Sequence, residues 1–108
     1  RDNIRPGEIL AAVFPGGTIT GCPKIRCIEI LGELEKIGRG PYTGSFGYIN
    51  HNGNLDFNIL IRSMVMEHQK ISLRAGGGIV ADSIPEKETS ETEAKANAML
   101  KALQNVRI

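Results

Sequence analysis

The spacing of apolar residues changes along this chain from a helical period to an alternating one and back again. Over residues 6–14, a proline precedes apolar positions at helical spacing, which predicts a short helix. Over 23–36, apolar residues recur every three or four positions, which predicts a second helix with Pro23 in its first turn. Over 42–51 and 55–66, apolar and polar residues alternate instead, which predicts two strands.

The link between the two alternating segments contains Asn52-Gly53, the strongest short-range signal for a hairpin turn. A second turn is predicted at 67–69 and a third strand at 71–75. The helical period then returns and predicts a last helix over about 85–103. Three antiparallel strands with packed helices, the carboxyl-terminal one long, define an α+β fold.

Composition and charge exclude several kinds of partner. The chain has 108 residues, with 13 Lys and Arg against 12 Asp and Glu and a net charge of +1. This balance argues against binding to nucleic acid or to an anionic membrane through bulk charge. Apolar runs are far shorter than the ~20 residues that a membrane helix needs. No leader precedes Arg1, so we expect no targeting signal and a processed product or a fragment.

The two cysteines, Cys22 and Cys27, are five residues apart. This spacing matches neither a redox pair nor a zinc site, and no histidine stands nearby. We expect two reduced thiols in a cytoplasmic protein, with a disulfide as the alternative.

A glycine-bracketed loop is predicted over 16–23, before the second helix. Small residues and hydroxyls that lead into a helix start can bind an anion. The loop has the two glycines of a phosphate-binding loop but Cys22-Pro23 where that motif needs Lys and Ser or Thr. The alternative is a tight connection between helices.

Three consecutive glycines, Gly76, Gly77 and Gly78, follow the third predicted strand. We call them the glycine run. Without side chains, they can bring backbone close to a ligand, or they can form a bulge at a sheet corner. The spacing of a dinucleotide-binding motif is absent from this stretch.

The last predicted helix places Glu88, Glu91 and Lys95 on one face, because the three residues are spaced by three and four positions. Two carboxylates one turn apart suit a hard cation such as magnesium, and the lysine could pair with a substrate carboxylate. The alternative is ordinary Glu–Lys support on a solvated face.

Arg62 is predicted to lie inside an apolar strand, where burial of its charge is costly without an anionic partner. Asp56 shares its predicted face but would be roughly 20 Å away along the strand. The partner is therefore another side chain or a ligand carboxylate.

These segments together resemble the chorismate-binding enzyme family. The resemblance includes Phe-Pro-Gly-Gly-Thr-Ile-Thr-Gly-Cys-Pro-Lys at 14–24 and Ala-Gly-Gly-Gly-Ile-Val-Ala-Asp-Ser at 75–83. The other matching stretches are 29–35, 39–44, 61–62, 85–88 and 91–92. The resemblance implies that residues 1–108 are the carboxyl-terminal part of a chorismate-binding domain, and an incomplete domain by themselves.

The resemblance also implies a magnesium ion and chorismate, a diacid, as ligands. By position, Glu91 would be a direct magnesium ligand and Glu88 a second carboxylate near the metal. Lys95, the candidate catalytic residue, would lie near the ring carboxylate and the metal. The family usually has an aromatic residue where Thr89 stands, which puts the packing under this helix in doubt.

The same resemblance assigns the substrate contacts. Tyr42 and Arg62 would hold the side-chain carboxylate of chorismate, assisted by backbone amides of the glycine run, and Thr18 would line the pocket. Other catalytic elements of the family lie upstream of the stretches matched here. We therefore expect no turnover from these residues alone.

Within the family, Phe-Pro-Gly-Gly-Thr and Gly-Gly-Gly-Ile-Val are more similar to aminodeoxychorismate synthases than to anthranilate synthases. The first reading implies amination of chorismate to 4-amino-4-deoxychorismate, on the route to para-aminobenzoate and folate. Either reading implies ammonia from a glutamine amidotransferase partner. The remaining alternatives are anthranilate synthase component I and a non-catalytic folding or binding module.

Overall fold

The computed structural model describes residues 3–106, which divide into two units, one ending at Leu60 and one beginning at Ile61. The first unit contains α1 (Pro6–Val13), α2 (Gly17–Thr20), α3 (Lys24–Leu34), β1 (Ser45–Ile49) and β2 (Leu55–Ile59). The second unit contains β3 (Met64–Glu67), β4 (Lys70–Leu73) and α4 (Pro85–Gln104). Antiparallel strand pairs, helices and the long last helix confirm the α+β class.

The helices of the first unit begin where prolines are tolerated. In α1, Pro6 needs no hydrogen-bond partner for its nitrogen, and the amide of Arg5 donates to Glu8 Oε2 at 2.7 Å. The predicted loop over 16–23 is wrong in part, because 17–20 form the short helix α2. Its single turn closes through the Gly21 amide and the Gly17 carbonyl, 2.7 Å apart, before Gly21 adopts a φ of 89°.

Strands β1 and β2 form an antiparallel hairpin around the predicted Asn-Gly turn. The register pairs Ser45 with Ile59 and Ile49 with Leu55. Gly53 has a φ of 88° and its amide donates to the Asn50 carbonyl at 3.0 Å. The hairpin prediction is therefore confirmed, with a side-chain-free residue where the turn needs a positive φ.

The first predicted strand begins too early. Residues 40–43 form a turn, and Thr43 has a φ of 64°, so Tyr42 lies in a turn rather than in a strand. Because apolar and polar residues alternate through this turn as well, the sequence pattern does not distinguish it from the strand that follows.

The prediction of one strand over 55–66 is wrong. The chain leaves β2 after Ile59 and enters β3 at Met64, and each strand belongs to its own two-stranded sheet. Arg62 lies between them with a φ of 52°, a conformation that cannot continue a ladder. The expected three-stranded arrangement is therefore two separate hairpins.

In the second unit, β3 and β4 are joined at the predicted turn by His68 and Gln69, with φ values of 47° and 63°. Two successive positive φ angles match the twist of a tight hairpin. Helix α4 agrees with its prediction to within one residue at its end. Between residues 3 and 106, none of the helices combines the length and apolar character needed to cross a bilayer.

Most side chains remain accessible. Met99 of α4, 6% exposed, is the one buried side chain in the described part of the chain, whereas Phe46 and Ile25 are 72% and 77% exposed. A folded domain of this length normally buries a continuous core. The apolar residues on these elements are thus largely uncovered.

Candidate functional site

Lys95 and Glu88 of α4 approach the backbone of the glycine run, and Glu91 pairs with Lys95, all within the second unit. Lys95 Nζ lies 2.5 Å from Glu91 Oε1 and donates a hydrogen bond to the Gly76 carbonyl at 3.1 Å. The Lys95 side chain is 21% exposed, against 59% for Glu91. The lysine therefore joins the acidic face of α4 to the segment that follows β4.

Because Gly77 has no side chain, a small space remains between its backbone and the side chains of Glu88 and Lys95. A methyl group at Gly77 would lie 3.5 Å from Glu88 Oε2 and 3.7 Å from Lys95 Nζ. An alanine methyl group would just touch both polar tips, so the glycine leaves a small space there that is bordered by a carboxylate and an ammonium.

Arg62 also contributes positive charge to this cluster, although its surroundings differ from the prediction. It is exposed in the link between β2 and β3, so no desolvation cost demands a partner. Its guanidinium is nevertheless near enough to help lower the pKa of Glu91. Two cations and two carboxylates therefore belong to one charged cluster with the glycine run.

The Lys95 hydrogen bond is the largest cause that lowers the pKa of Glu91 below its ordinary value of 4.5, followed by the charge of Lys95 and then that of Arg62. Because the pKa of Glu91 is lower in the folded protein than its ordinary value, the pairing stabilises the fold at any pH above that ordinary value. The contribution is lost as pH falls through the lowered value.

An NMR titration of the carboxyl carbons in the complete protein should therefore place Glu91 below 4.5. In Lys95→Met, the Glu91 pKa should rise, because the principal hydrogen bond and charge are removed. A wild-type Glu91 that titrates at or above its ordinary value would contradict the pairing.

The donor atoms of this cluster fit part of a magnesium site. Glu88 and Glu91 offer hard carboxylate oxygens one helical turn apart, and the Lys95 ammonium already lies where a small cation could bind Glu91. Magnesium takes one or two carboxylates and completes its shell with water and substrate oxygens. Within residues 3–106, no three His, Cys, Asp or Glu side chains come together as a metal site.

The first unit contains a separate cavity of about 430 Å³. Its lining includes Phe14, Ile28, Leu31, Arg39, Tyr42 and Thr43. Tyr42, predicted to contact substrate, is thus on a cavity wall. Thr18, predicted to line the pocket, is exposed on α2, while its neighbours Ile19 and Thr20 line this cavity.

Sequence reasoning missed the ion pair at this cavity. The Arg39 guanidinium donates to both carboxylate oxygens of Glu35, at 2.8 and 2.5 Å, and to Thr43 Oγ1 at 3.1 Å. The hydrogen bond to Glu35 is the main cause that raises the pKa of Arg39. The signal available in the sequence was Glu and Arg spaced by four residues, which crosses the end of α3 and so did not predict a helical pair.

Comparison with known proteins identifies the family. A family profile described as chorismate binding enzyme matches residues 1–101. The chain belongs to the chorismate-binding enzyme family. Anthranilate synthase component 1 of Acetivibrio thermocellus is 47% identical over 104 residues, 96% of this chain and 21% of the relative. The corresponding protein of Thermococcus kodakarensis is 53% identical over 96 residues, 89% of this chain and 22% of the relative.

An anthranilate synthase component I-like protein of Synechocystis is 52% identical over 99 residues, 92% of this chain and 20% of the relative. The chain therefore spans about a fifth of the length of these curated relatives. The expected chorismate-binding family is confirmed. The preference for aminodeoxychorismate synthase within it is not supported, since these relatives carry the name of the alternative.

All the candidate site residues lie inside the part that matches the chorismate-binding family. Arg62, the glycine run and the three polar residues of α4 belong to the second unit, and Thr18 and Tyr42 belong to the first. Cys22 and Cys27 are free thiols, as expected from their spacing.

Proposed function

We propose that this chain is part of a magnesium-dependent synthase that aminates chorismate to anthranilate, with ammonia from a glutamine amidotransferase partner. The observation that carries the proposal is the cluster of Glu88, Glu91 and Lys95 over the bare backbone of Gly77. Family membership and the names of the relatives support the substrate and the reaction. Two free thiols agree with a cytoplasmic protein.

The two cations of the cluster suit a substrate with two carboxylates. Arg62 would hold the side-chain carboxylate, because a guanidinium can donate two parallel hydrogen bonds to a carboxylate. Amides of the glycine run would add donors where no side chain blocks approach. Lys95 would face the ring carboxylate, and Tyr42 would be a further substrate contact. Thr18 would line the pocket.

The acidic pair would hold the metal. Glu91 would be the direct ligand and Glu88 the second carboxylate, and the rest of the shell would come from water, substrate and other parts of the complete protein. When bound, magnesium would neutralise the ring carboxylate or assist departure of the C4 hydroxyl group. In this proposal, Glu88 and Glu91 attract the metal because they place two negative charges one turn apart on α4.

Two alternatives remain. Phe-Pro-Gly-Gly-Thr at 14–18 and Gly-Gly-Gly-Ile-Val at 76–80 favour 4-amino-4-deoxychorismate as the product. That reaction would keep the enolpyruvyl group, whereas formation of anthranilate releases pyruvate and water. A non-catalytic folding or binding module is the other alternative, favoured by the many exposed apolar side chains.

An end-product assay separates these functions. The complete protein should convert chorismate and ammonium to fluorescent anthranilate with stoichiometric pyruvate, and only with magnesium present. Product that becomes para-aminobenzoate after addition of a pyruvate-eliminating lyase would favour the aminodeoxychorismate alternative. Chorismate that is not consumed under either condition would overturn the enzymatic proposal.

A further inference from the structure

Glu91 has two competing partners in the proposed function. Its Oε1 atom lies 2.5 Å from Lys95 Nζ, while a magnesium ligand needs its oxygen about 2.0–2.1 Å from the metal. A divalent cation on the same oxygen would lie close to the ammonium, and the two positive charges would repel each other strongly. A metal bound at Oε1 would therefore displace Lys95 from it.

We propose that Lys95 is an internal counter-ion that neutralises Glu91 until a divalent cation displaces it, and that the displaced ammonium then becomes the contact for an anionic substrate group. This inference rests on the proposed function, because it takes Glu91 as a metal ligand. It adds that metal binding and the position of Lys95 are coupled.

The hydrogen bonds of Lys95 make such a displacement inexpensive. Nζ also donates to the Gly76 carbonyl, so the ammonium keeps one partner when it loses Glu91. The lysine side chain has a flexible four-carbon stem and three donors that can reorient. If the Lys95 side chain rotated but kept its hydrogen bond to the Gly76 carbonyl, Nζ would remain beside the glycine run. The backbone there has no side chains that would block a ligand.

The two carboxylates differ in a way that defines an order of events. Among the described residues, Glu91 is held by Lys95, whereas Glu88 forms no ion pair and directs Oε2 toward Gly77. An incoming cation therefore meets an uncompensated carboxylate first and competes with Lys95 for the second. Without that competition, the cation would bind both at once.

Coupling between metal and substrate follows from this arrangement. A bound metal releases Lys95 to bind a substrate carboxylate, and a bound substrate draws Lys95 away from Glu91. Each ligand should therefore increase the affinity of the other by the same factor. Removal of Lys95 should tighten metal binding in the absence of substrate and weaken the coupling.

Binding of Mn²⁺ to the complete protein, followed by the EPR signal of the free ion, tests the displacement without a measurement of turnover. Without chorismate, Lys95→Met should bind Mn²⁺ about two- to fivefold more tightly than wild type. In wild type the metal must first break the Glu91–Lys95 ion pair, and the free energy of a solvent-accessible pair corresponds to an affinity change of about this size. Chorismate should increase Mn²⁺ affinity in wild type and increase it less in Lys95→Met.

Lys101→Met is the matched control, because it removes the same charge from α4 six positions further along, outside the cluster. A double variant with Glu91→Gln isolates the pair: in that background, Lys95→Met should no longer tighten Mn²⁺ binding. Lys95→Gln repeats the test with a polar side chain in case methionine disturbs folding, which thermal unfolding would reveal.

The outcomes distinguish the two proposals. If Lys95→Met and Lys95→Gln bind Mn²⁺ no more tightly than Lys101→Met, the counter-ion role is wrong although the metal site stands. If wild type binds Mn²⁺ no better than Glu91→Gln, the metal site and the counter-ion role both fail. Normal Mn²⁺ coupling in a protein that forms neither amino product would leave the counter-ion role intact and overturn the proposed reaction.

Discussion

Glu91→Gln in the complete protein should lower magnesium-dependent kcat by about a hundredfold or more. Glutamine keeps the size and shape of the side chain but removes the negative charge that would bind the metal. Substitution of groups that only support a metal ligand typically costs 10- to 100-fold, so loss of a direct ligand should cost at least as much. Steady-state kinetics with varied magnesium would measure the effect.

The matched control is Glu93→Gln, which makes the same change on the same helix. Glu93 is exposed and lies two residues beyond Glu91, on a different face of α4. We expect kcat to remain within about twofold of wild type, since isolated surface charges usually contribute little. If Glu91→Gln retains the activity of Glu93→Gln, the assignment of the metal to Glu91 is wrong.

The effect should also differ from that of a structural defect. The Glu91 side chain is 59% exposed and its one ion pair is with Lys95 in the described part of the chain. Its replacement therefore should leave the melting temperature of the complete protein nearly unchanged. Loss of activity together with a large fall in melting temperature would indicate that Glu91 supports the fold instead.

Gly47→Ala should destabilise the β1–β2 hairpin by about 1–3 kcal/mol, the usual cost of overpacking. A methyl group at Gly47 would overlap the Asp56 carbonyl oxygen and lie 2.7 Å from both Cα and Cγ of Phe57. Two of these atoms are backbone atoms of the paired strand, which cannot rotate away. The strands must separate locally, and urea unfolding of the complete protein would measure the cost.

Gly7→Ala is the control for Gly47→Ala. A methyl group at Gly7 would meet no atom within 4 Å in the described structure. Because Gly7 is the second residue of α1, alanine there should stabilise the helix by up to about 0.5 kcal/mol, less than at an interior position. The two alanine substitutions should therefore have opposite signs. Equal effects would mean that the close approach at Gly47 is not what requires glycine there.

Local interactions explain which elements were predictable. The Asn-Gly turn and helix α4 depend on residues within a few positions of each other, and both appear where the pattern places them. The common face of Glu88, Glu91 and Lys95 follows from helical geometry alone. The sequence also carried the family resemblance, because its motifs are continuous in the chain.

Other features required tertiary information. Apolar residues continue past Ile59 to Ile61 and resume at Met64, yet the chain turns at Arg62, because strand pairing as well as periodicity decides where a strand ends. The preference for one member of the family rested on a few motif residues, whereas the relatives that match over nearly the whole chain carry the name of the alternative.

By itself, the sequence determined the α+β class, the chorismate-binding family and the face of α4 that carries the acidic pair. The spacing of four residues also offered the pair of Glu91 with Lys95. Only the tertiary structure showed that Lys95 also donates to the Gly76 carbonyl, 19 residues earlier in the chain. The reason is physical: helical periodicity places side chains on a face, but the partner that comes to meet that face depends on how distant backbone segments fold back against it.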